Sequence, residues 1–538
     1  MLKIILAQIN LTVGDIDGNT DKIIDAISNA EQQNADIILF PELCICSYPP
    51  EDLLFRPAFI ANVERALTRI ISNTGDVYAI IGYPCQDNGQ LYNACSLIHG
   101  RQLVKTYYKQ ELPNYGVFDE KRYFMPGKEM QSFEIKGLKA AMTICEDIWT
   151  TGPAEAAANA GVQILFNMNA SPYHKHKLKQ REQLVTQRAK DNSLYIAYTN
   201  LVGGQDELIF DGNSMLVDSD GEVVFHAPQF EEGLYTMELE VKDQQLLKQD
   251  TVRIEYASTE ENVYQALVMG VRDYVSKNNF KGVVIGLSGG IDSALTTAIA
   301  VDALGADNVE VLIMPSRFTA DMSNDDAIEQ ANLLGIKHEV ISIEPIFEAM
   351  LKSLQPRFAG LAADITEENI QARCRGILLM AVSNKSGTLL LTTGNKSEMA
   401  VGYSTLYGDM CGGFAPLKDV WKTLAYRLAN WRNQQGRVIP ENVITRPPSA
   451  ELREDQRDED SLPPYEQLDP ILERYIELDI SPEKIVAEGF DREAVDKVVR
   501  LVDRNEYKRR QAAPGVRITN RAFGRDRRYP ITSGYLET

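Results

Sequence analysis

Residues 286–293 read Gly286-Leu287-Ser288-Gly289-Gly290-Ile291-Asp292-Ser293. The apolar run Val283-Val284-Ile285 precedes them, and a helix-like stretch from Ala294 to Leu304 follows. That spacing predicts a buried strand, a glycine turn and a helix start. Glycines let the backbone approach an anion closely, and the free N–H groups at a helix start point toward it. Ser288 and Ser293 add hydroxyl donors, and Asp292 is placed to hold a magnesium ion. The loop is not a Walker A sequence, because the Gly-Lys-Ser/Thr ending is missing.

Outward from the loop, the second half keeps an α/β rhythm. A helix is predicted from about Glu260 to Lys277, then the strand Val283–Leu287. Val309–Met314, His338–Ile343 and Thr388–Thr392 follow as short buried strands separated by helices. This is the pattern of a doubly wound parallel sheet, whose ligands sit at the carboxyl ends of strands. Two segments interrupt it. Ser316–Asp326 and the charged, proline-bearing Arg446–Tyr465 read as mobile loops near a site.

The first half, to about residue 240, also alternates strands and helices. Strands are expected at Leu2–Ile9, Asp36–Phe40, Val77–Gly82, Ala94–Ile98, Ala140–Ile144, Val162–Asn167 and Tyr195–Asn200. Thr20–Gln33 and Lys177–Asp191 read as amphipathic helices, and Met215–Phe225 as a hairpin around Asp220-Gly221. Packed sheets covered by helices follow from that order. The polar stretch 242–259 loses the rhythm, so domains are expected at 1–245 and 258–538 with a linker at 246–257.

Composition narrows the function classes. The chain has 538 residues and a net charge of -21, which argues against a nucleic-acid scaffold. No apolar run is long enough to cross a membrane. Met1–Ile9 is too short for a signal peptide, so a cytoplasmic enzyme is expected. Seven cysteines in so long a chain do not suggest a disulfide framework. His174 and His176 suggest a metal only weakly, and they are expected to be solvated.

Three strand ends in the first half carry reactive groups. Glu42 follows Phe40-Pro41, Lys109 follows Tyr108, and Cys145 follows Thr143-Ile144. Amide hydrolysis through a thioester needs these types. A thiol must lose its proton to attack, and a carboxylate can take that proton and later activate water. A lysine favours the thiolate and, with a backbone N–H, stabilises the oxyanion.

The combination resembles the nitrilase superfamily, over nearly all of residues 1–240. The resemblance implies an αββα sandwich with Glu42 as general base, Lys109 as stabiliser and Cys145 as nucleophile. Glu120 matches a further acidic residue near that triad. Glutaminase members of the superfamily imply glutamine recognition by Tyr115, Ser171 and Lys177.

In the second half, the loop 286–293 resembles that of the ATP pyrophosphatases. Asn369 to Arg375, Thr393 to Glu398, Tyr407-Gly408-Asp409, Pro448 to Leu452 and Tyr507 to Arg510 narrow the resemblance to the NAD synthetases, across about 258–538. It implies that Gly286, Leu287, Ser288, Gly289, Gly290, Ile291, Asp292 and Ser293 hold ATP, with Thr393, Lys422 and Ser449 as further ATP contacts. Ser449 stands where some members have Thr, which keeps the hydroxyl. Asn369, Arg373, Glu398 and Lys508 are implied to face deamido-NAD, and Asp292 and Glu398 to hold magnesium.

Together the halves resemble the glutamine-dependent NAD synthetases. The implied chemistry is glutamine hydrolysis in the first half, with the ammonia amidating adenylated deamido-NAD in the second. The expected partners are these small molecules only, with no nucleic acid or membrane, in a homo-oligomer.

Overall fold

The structure is a computed structural model, and it describes residues 1–535 apart from 249, 253–254 and 454–455. Part of the expected linker, and Glu454 and Asp455 of the charged loop, thus lie outside the described residues. Internal contacts define two compact units, Met1–Tyr256 and Ala257–Thr538. Among the described residues, no helix is long and apolar enough to cross a membrane.

The first unit begins with β1 (Leu2–Gln8), α1 (Ile16–Gln32), β2 (Ile37–Leu39), α2 (Pro57–Asn73), β3 (Tyr78–Asp87), β4 (Gln90–His99) and β5 (Gln102–Tyr108). It continues through β6 (Ser132–Ile135), β7 (Leu138–Ile144), α3 (Gly152–Asn159), β8 (Ile164–Asn169), α4 (Lys177–Asn192) and β9 (Tyr195–Asn200). The short β10 (Val202–Gln205) and β11 (Leu208–Asp211) pair with each other, and β12 (Met215–Val217), β13 (Val223–His226) and β14 (Gly233–Leu239) complete the sheets. One six-stranded sheet runs β14-β1-β2-β3-β4-β5, and the other β13-β12-β9-β8-β7-β6.

Period-two alternation builds the layers. Leu2, Ile4 and Leu6 of β1 meet Met142, Phe166 and Met168 between the sheets. Ile5 and Ala7 point the other way, onto Ile23 and Ile27 of α1 and Val63 and Ile70 of α2. On the far side, Ala141, Leu165 and Ile196 pack on Ala157, Val185 and Ala189. The result is an αββα sandwich. α1 starts where the Asp15 carboxylate accepts the Gly18 N–H, and α2 starts on Pro57.

In the second unit the elements that carry the cavity are α5 (Thr259–Lys277), β15 (Val283–Gly286), α6 (Ile291–Leu304), β16 (Val309–Ile313), α7 (Asp321–Leu334), β17 (Lys337–Val340), α8 (Glu344–Phe358), α9 (Ile365–Ser386), β18 (Leu389–Leu391), α10 (Lys396–Val401) and α11 (Lys422–Gln434). The sheet order is β17-β16-β15-β18, all parallel. The order reverses between β15 and β18, and the loops after those strands diverge there. α6 is buried on nearly every side, which explains its Ala- and Ile-rich composition.

The structure corrects several expectations. The strand expected at His338–Ile343 ends at Val340 and lies at the sheet edge, with Val340 exposed, so it is not buried. Ser316–Asp326 is not a loop throughout, because α7 begins at Asp321. The polar stretch after 240 carries a small hairpin, Val241–Lys242 with Gln245–Leu246, and the Leu247 carbonyl accepts the Tyr195 hydroxyl. Such short pairings leave no apolar periodicity to read.

Candidate functional site

In the first unit the reactive side chains leave the carboxyl ends of β2, β5 and β7. Lys109 is fully buried, and its Nζ donates to Glu42 Oε1 at 2.6 Å and to Glu120 Oε1 at 2.8 Å. Burial alone would drive the proton off the ammonium, but the Glu120 and Glu42 carboxylates hold its pKa well above the ordinary lysine value. Glu120 is pushed up by burial, against the pull of Lys109.

Asn93 Nδ2 donates to Glu42 at 2.7 Å and to Glu120 at 3.4 Å, and the Ala170 N–H donates to the other Glu42 oxygen at 3.1 Å. The Tyr48 hydroxyl donates to Glu120 at 3.0 Å. Asn93 and Tyr48 stand outside any sequence motif used above; only the fold brings them to the site.

Cys145 opens a short 3₁₀ turn, Cys145–Ile148, with φ of 44°. A non-glycine residue held in that region stores roughly 1–3 kcal/mol of strain, a feature that clusters at functional sites. Burial and the Glu42 charge hold the thiol pKa well above its ordinary value, although Lys109 pulls it down. This environment favours the thiol, whose proton needs an acceptor before attack.

Of the expected glutamine contacts, Tyr115 is exposed and donates to both Glu146 oxygens at 3.0 and 3.1 Å. The Lys177 ammonium lies 3.7 Å from the Trp149 ring centroid, and its charge acts on Glu146. Glu146, adjacent to Cys145, is the residue these two share, and the sequence motifs above give it no role. Ser171 is buried after β8, and its N–H donates to Asn200 Oδ1 at 2.9 Å. His174 is buried rather than solvated, and it accepts the His176 N–H at 3.3 Å. The neighbouring Tyr173 meets Phe230 edge-on, with ring centroids 5.6 Å apart.

The second unit holds a cavity of about 330 Å³ at the point where the sheet order reverses. Every residue of 286–293 lines it except Gly289. Gly289 has φ of 75°, and a Cβ there would stand 2.3 Å from the Ser323 carbonyl oxygen. It is required by close packing on α7. The serine hydroxyls brace the turn: Ser288 Oγ accepts the Gly290 N–H at 3.2 Å, and Ser293 Oγ accepts the Ser288 N–H at 3.2 Å.

Thr393, Glu398, Lys422 and Ser449 also line the cavity. Ser449 Oγ donates to the Gln456 carbonyl at 2.5 Å. Lys422 Nζ donates to Asp292 at 2.5 Å and to Glu398 at 3.2 Å, and those carboxylates hold its pKa above the ordinary value despite burial. Glu398 is raised by burial, which outweighs Lys422. Asp292 and Glu398 are hard oxygen donors, a set that suits magnesium, which takes one or two carboxylates and completes its shell with phosphate and water. Among the described residues no group of three ligating side chains is assembled.

Asn369, Arg373 and Lys508 do not line this cavity but meet at one loop beside it. Asn369 Oδ1 accepts the Thr405 hydroxyl at 2.8 Å, Arg373 Nε donates to the Leu406 carbonyl at 3.2 Å, and Lys508 Nζ donates to the Gly402 and Ser404 carbonyls. Tyr403, Ser404 and Gly408 of that loop do line the cavity. Arg375 lines it too, with burial pulling its pKa down. Arg446 was not singled out in sequence, yet it reaches the Gly289 carbonyl and Ser323 Oγ. Arg509 is buried and Arg510 exposed, and both pair with Glu506.

Two family comparisons divide the chain as the geometry does. Residues 3–249 match the carbon-nitrogen hydrolase family, and residues 263–512 match the NAD synthase family. The chain is 49% identical over 536 residues to the glutamine-dependent NAD(+) synthetase of Acinetobacter baylyi, covering 99% of this chain and 98% of that one. It is 45% identical over 574 residues to that of Thermotoga maritima, covering 100% and 99%. A solved glutamine-dependent NAD+ synthetase from Acinetobacter baumannii, in complex with adenosine diphosphate, is 47% identical with a TM-score of 0.81, over 100% of this chain and 99% of that one. At 24% identity, the Cytophaga hutchinsonii structure shares the fold with a TM-score of 0.85 over 99% and 98%. The chain belongs to the glutamine-dependent NAD(+) synthetase family.

Proposed function

We propose that this chain hydrolyses glutamine at Cys145 and uses the ammonia to convert deamido-NAD to NAD at the cavity of the second unit. One observation carries this reading: a fully buried lysine shared by two carboxylates beside a strand-end thiol, on a chain that also holds a glycine-loop cavity. Neither centre alone explains the other.

Glu42 takes the Cys145 proton as sulfur attacks the carbonyl carbon (Cδ) of the glutamine side-chain amide. The Lys109 cation stabilises the oxygen that gains charge, and the C–N bond breaks as ammonia takes up the proton. Water, deprotonated by Glu42, then cleaves the thioester and releases glutamate. Tyr115, Ser171 and Lys177 are proposed to orient the amino acid.

At the second centre, the deamido-NAD carboxylate attacks the α-phosphorus of ATP, and pyrophosphate leaves. Ammonia then adds to the acyl carbon and AMP departs. Gly286–Ser293, Thr393, Lys422 and Ser449 are proposed to hold ATP. The ADP complex of the A. baumannii relative supports a nucleotide at such a centre. Asn369, Arg373, Glu398 and Lys508 are proposed to serve deamido-NAD, the first, second and fourth through the loop they brace. Magnesium at Asp292 and Glu398 would neutralise phosphate charge.

The proposed domain limits are 1–245 and 258–538. The proposed setting is a cytoplasmic homo-oligomer, which seven unpaired cysteines fit. NAD formation from glutamine and from ammonium tests the reading. Cys145→Ala should abolish the glutamine-driven rate and leave the ammonium-driven rate within about twofold, because the second centre supplies its own chemistry. Loss of both rates in a folded variant would contradict the division.

A further inference from the structure

Asp147 lies two residues beyond Cys145 and is completely buried. Its Oδ1 accepts the N–H groups of Gln110 and Glu111, at 3.0 and 2.8 Å. Its Oδ2 accepts the Tyr107 hydroxyl at 2.7 Å and the Ile144 N–H at 2.9 Å. Three of these donors flank Lys109 in the chain, and the fourth immediately precedes Cys145. Lys109 leaves β5 of one sheet, whereas Cys145 leaves β7 of the other. One carboxylate therefore ties the two sheets together where their reactive ends meet.

The Lys109 ammonium is held by Glu42 and Glu120, and the backbone bonds at Lys109 itself stay on its own side of the sandwich. Its N–H donates to the Asn93 carbonyl within its own sheet, and its carbonyl accepts the Gly127 N–H. We propose that Asp147 is a positioning residue of the thiol centre: it sets where the Lys109 ammonium stands relative to the Cys145 sulfur. This rests on the reading of Cys145 as the glutaminase nucleophile. Four donors converge on two oxygens, so only an ionised carboxylate accepts them all. Asparagine has the same shape but one acceptor oxygen. If that oxygen keeps Gln110 and Glu111, the amide nitrogen faces the Ile144 N–H, and the tie fails on the cysteine side.

The test uses the full chain with Asp147→Asn and, as a milder change, Tyr107→Phe. A misplacement of about 1 Å costs about 100-fold. Asp147→Asn should therefore lower glutaminase kcat about 100-fold, with KM changed less than about threefold and the ammonium-driven rate kept. The second readout is the carbamidomethylation rate of Cys145 at pH 8, followed on its own peptide. Moving the lysine charge away by one pKa unit of effect slows it about tenfold, which a merely less stable fold would not do. Tyr107→Phe should move both readouts the same way, by about three- to tenfold, since one of the four bonds is lost.

A glutaminase rate within about threefold of wild type, with unchanged alkylation, overturns the proposal. If Asp147→Asn also loses ammonium-driven synthesis, Tyr107→Phe decides: slower alkylation supports the role, and the wild-type rate overturns it. Absence of glutaminase activity in the wild type would instead sink the reading of Cys145 itself.

Discussion

Lys109 shows why a buried charge can be a functional device. An ammonium taken out of water loses several kcal/mol of solvation unless it is paired. Here two carboxylates share it, so the proton stays and the cation persists beside the thiol. The same carboxylate environment works against the thiolate. Burial and the Glu42 charge raise the Cys145 pKa and so favour the thiol over the thiolate. Alkylation of Cys145 in the free enzyme should thus rise steadily from pH 6 to 9 without levelling; a plateau below pH 8 would show a resting thiolate. Lys109→Met leaves Glu42 and Glu120 facing each other unpaired, at a cost of about 3–5 kcal/mol. Urea unfolding of the first unit should show it.

At the scale of elements, most of the fold was legible. The apolar run Leu2–Ala7, broken only by Lys3, exposed a strand buried on both faces, and Val283–Ile285 followed by glycines marked the turn that lines the cavity. The misses have physical causes. Helix Pro57–Asn73 follows a short 3₁₀ turn, Glu51–Phe55, set between Pro49-Pro50 and Pro57, and that mixed polar and apolar turn hides its start. Edge strands such as Gln102–Tyr108 mix polar and apolar residues because one side meets solvent. Glu42 and Cys145 were legible because each follows an apolar run, and Lys109 through its place beside Glu111-Leu112-Pro113, whereas Asn93 lies mid-strand and Tyr48 in a loop, and only the fold brings them there. Gly289 offers a test at this scale. Gly289→Ala adds a Cβ against the Ser323 carbonyl at a positive φ, a conformational cost of about 1–3 kcal/mol. The shifted turn should raise the KM for ATP about tenfold in ammonium-driven synthesis, with glutaminase unaffected; an unchanged KM would mean the turn does not shape the cavity.

The whole chain combines two centres with different dependencies, and these can be separated. Asp292 binds Lys422 in the second unit and has no part in the thiol centre. Asp292→Ala should cut NAD formation from either nitrogen source at least about 100-fold while glutamine hydrolysis persists, and chelation by EDTA should mimic it. Full ammonium-driven turnover in that variant would show that Asp292 has been given the wrong task. The raised pKa of Cys145 has a consequence beyond turnover. Peroxide oxidises thiolates far faster than thiols, so the burial that raises the Cys145 pKa should also slow its conversion to sulfenic and sulfinic acids, and peroxide should inactivate the glutamine-driven reaction only slowly.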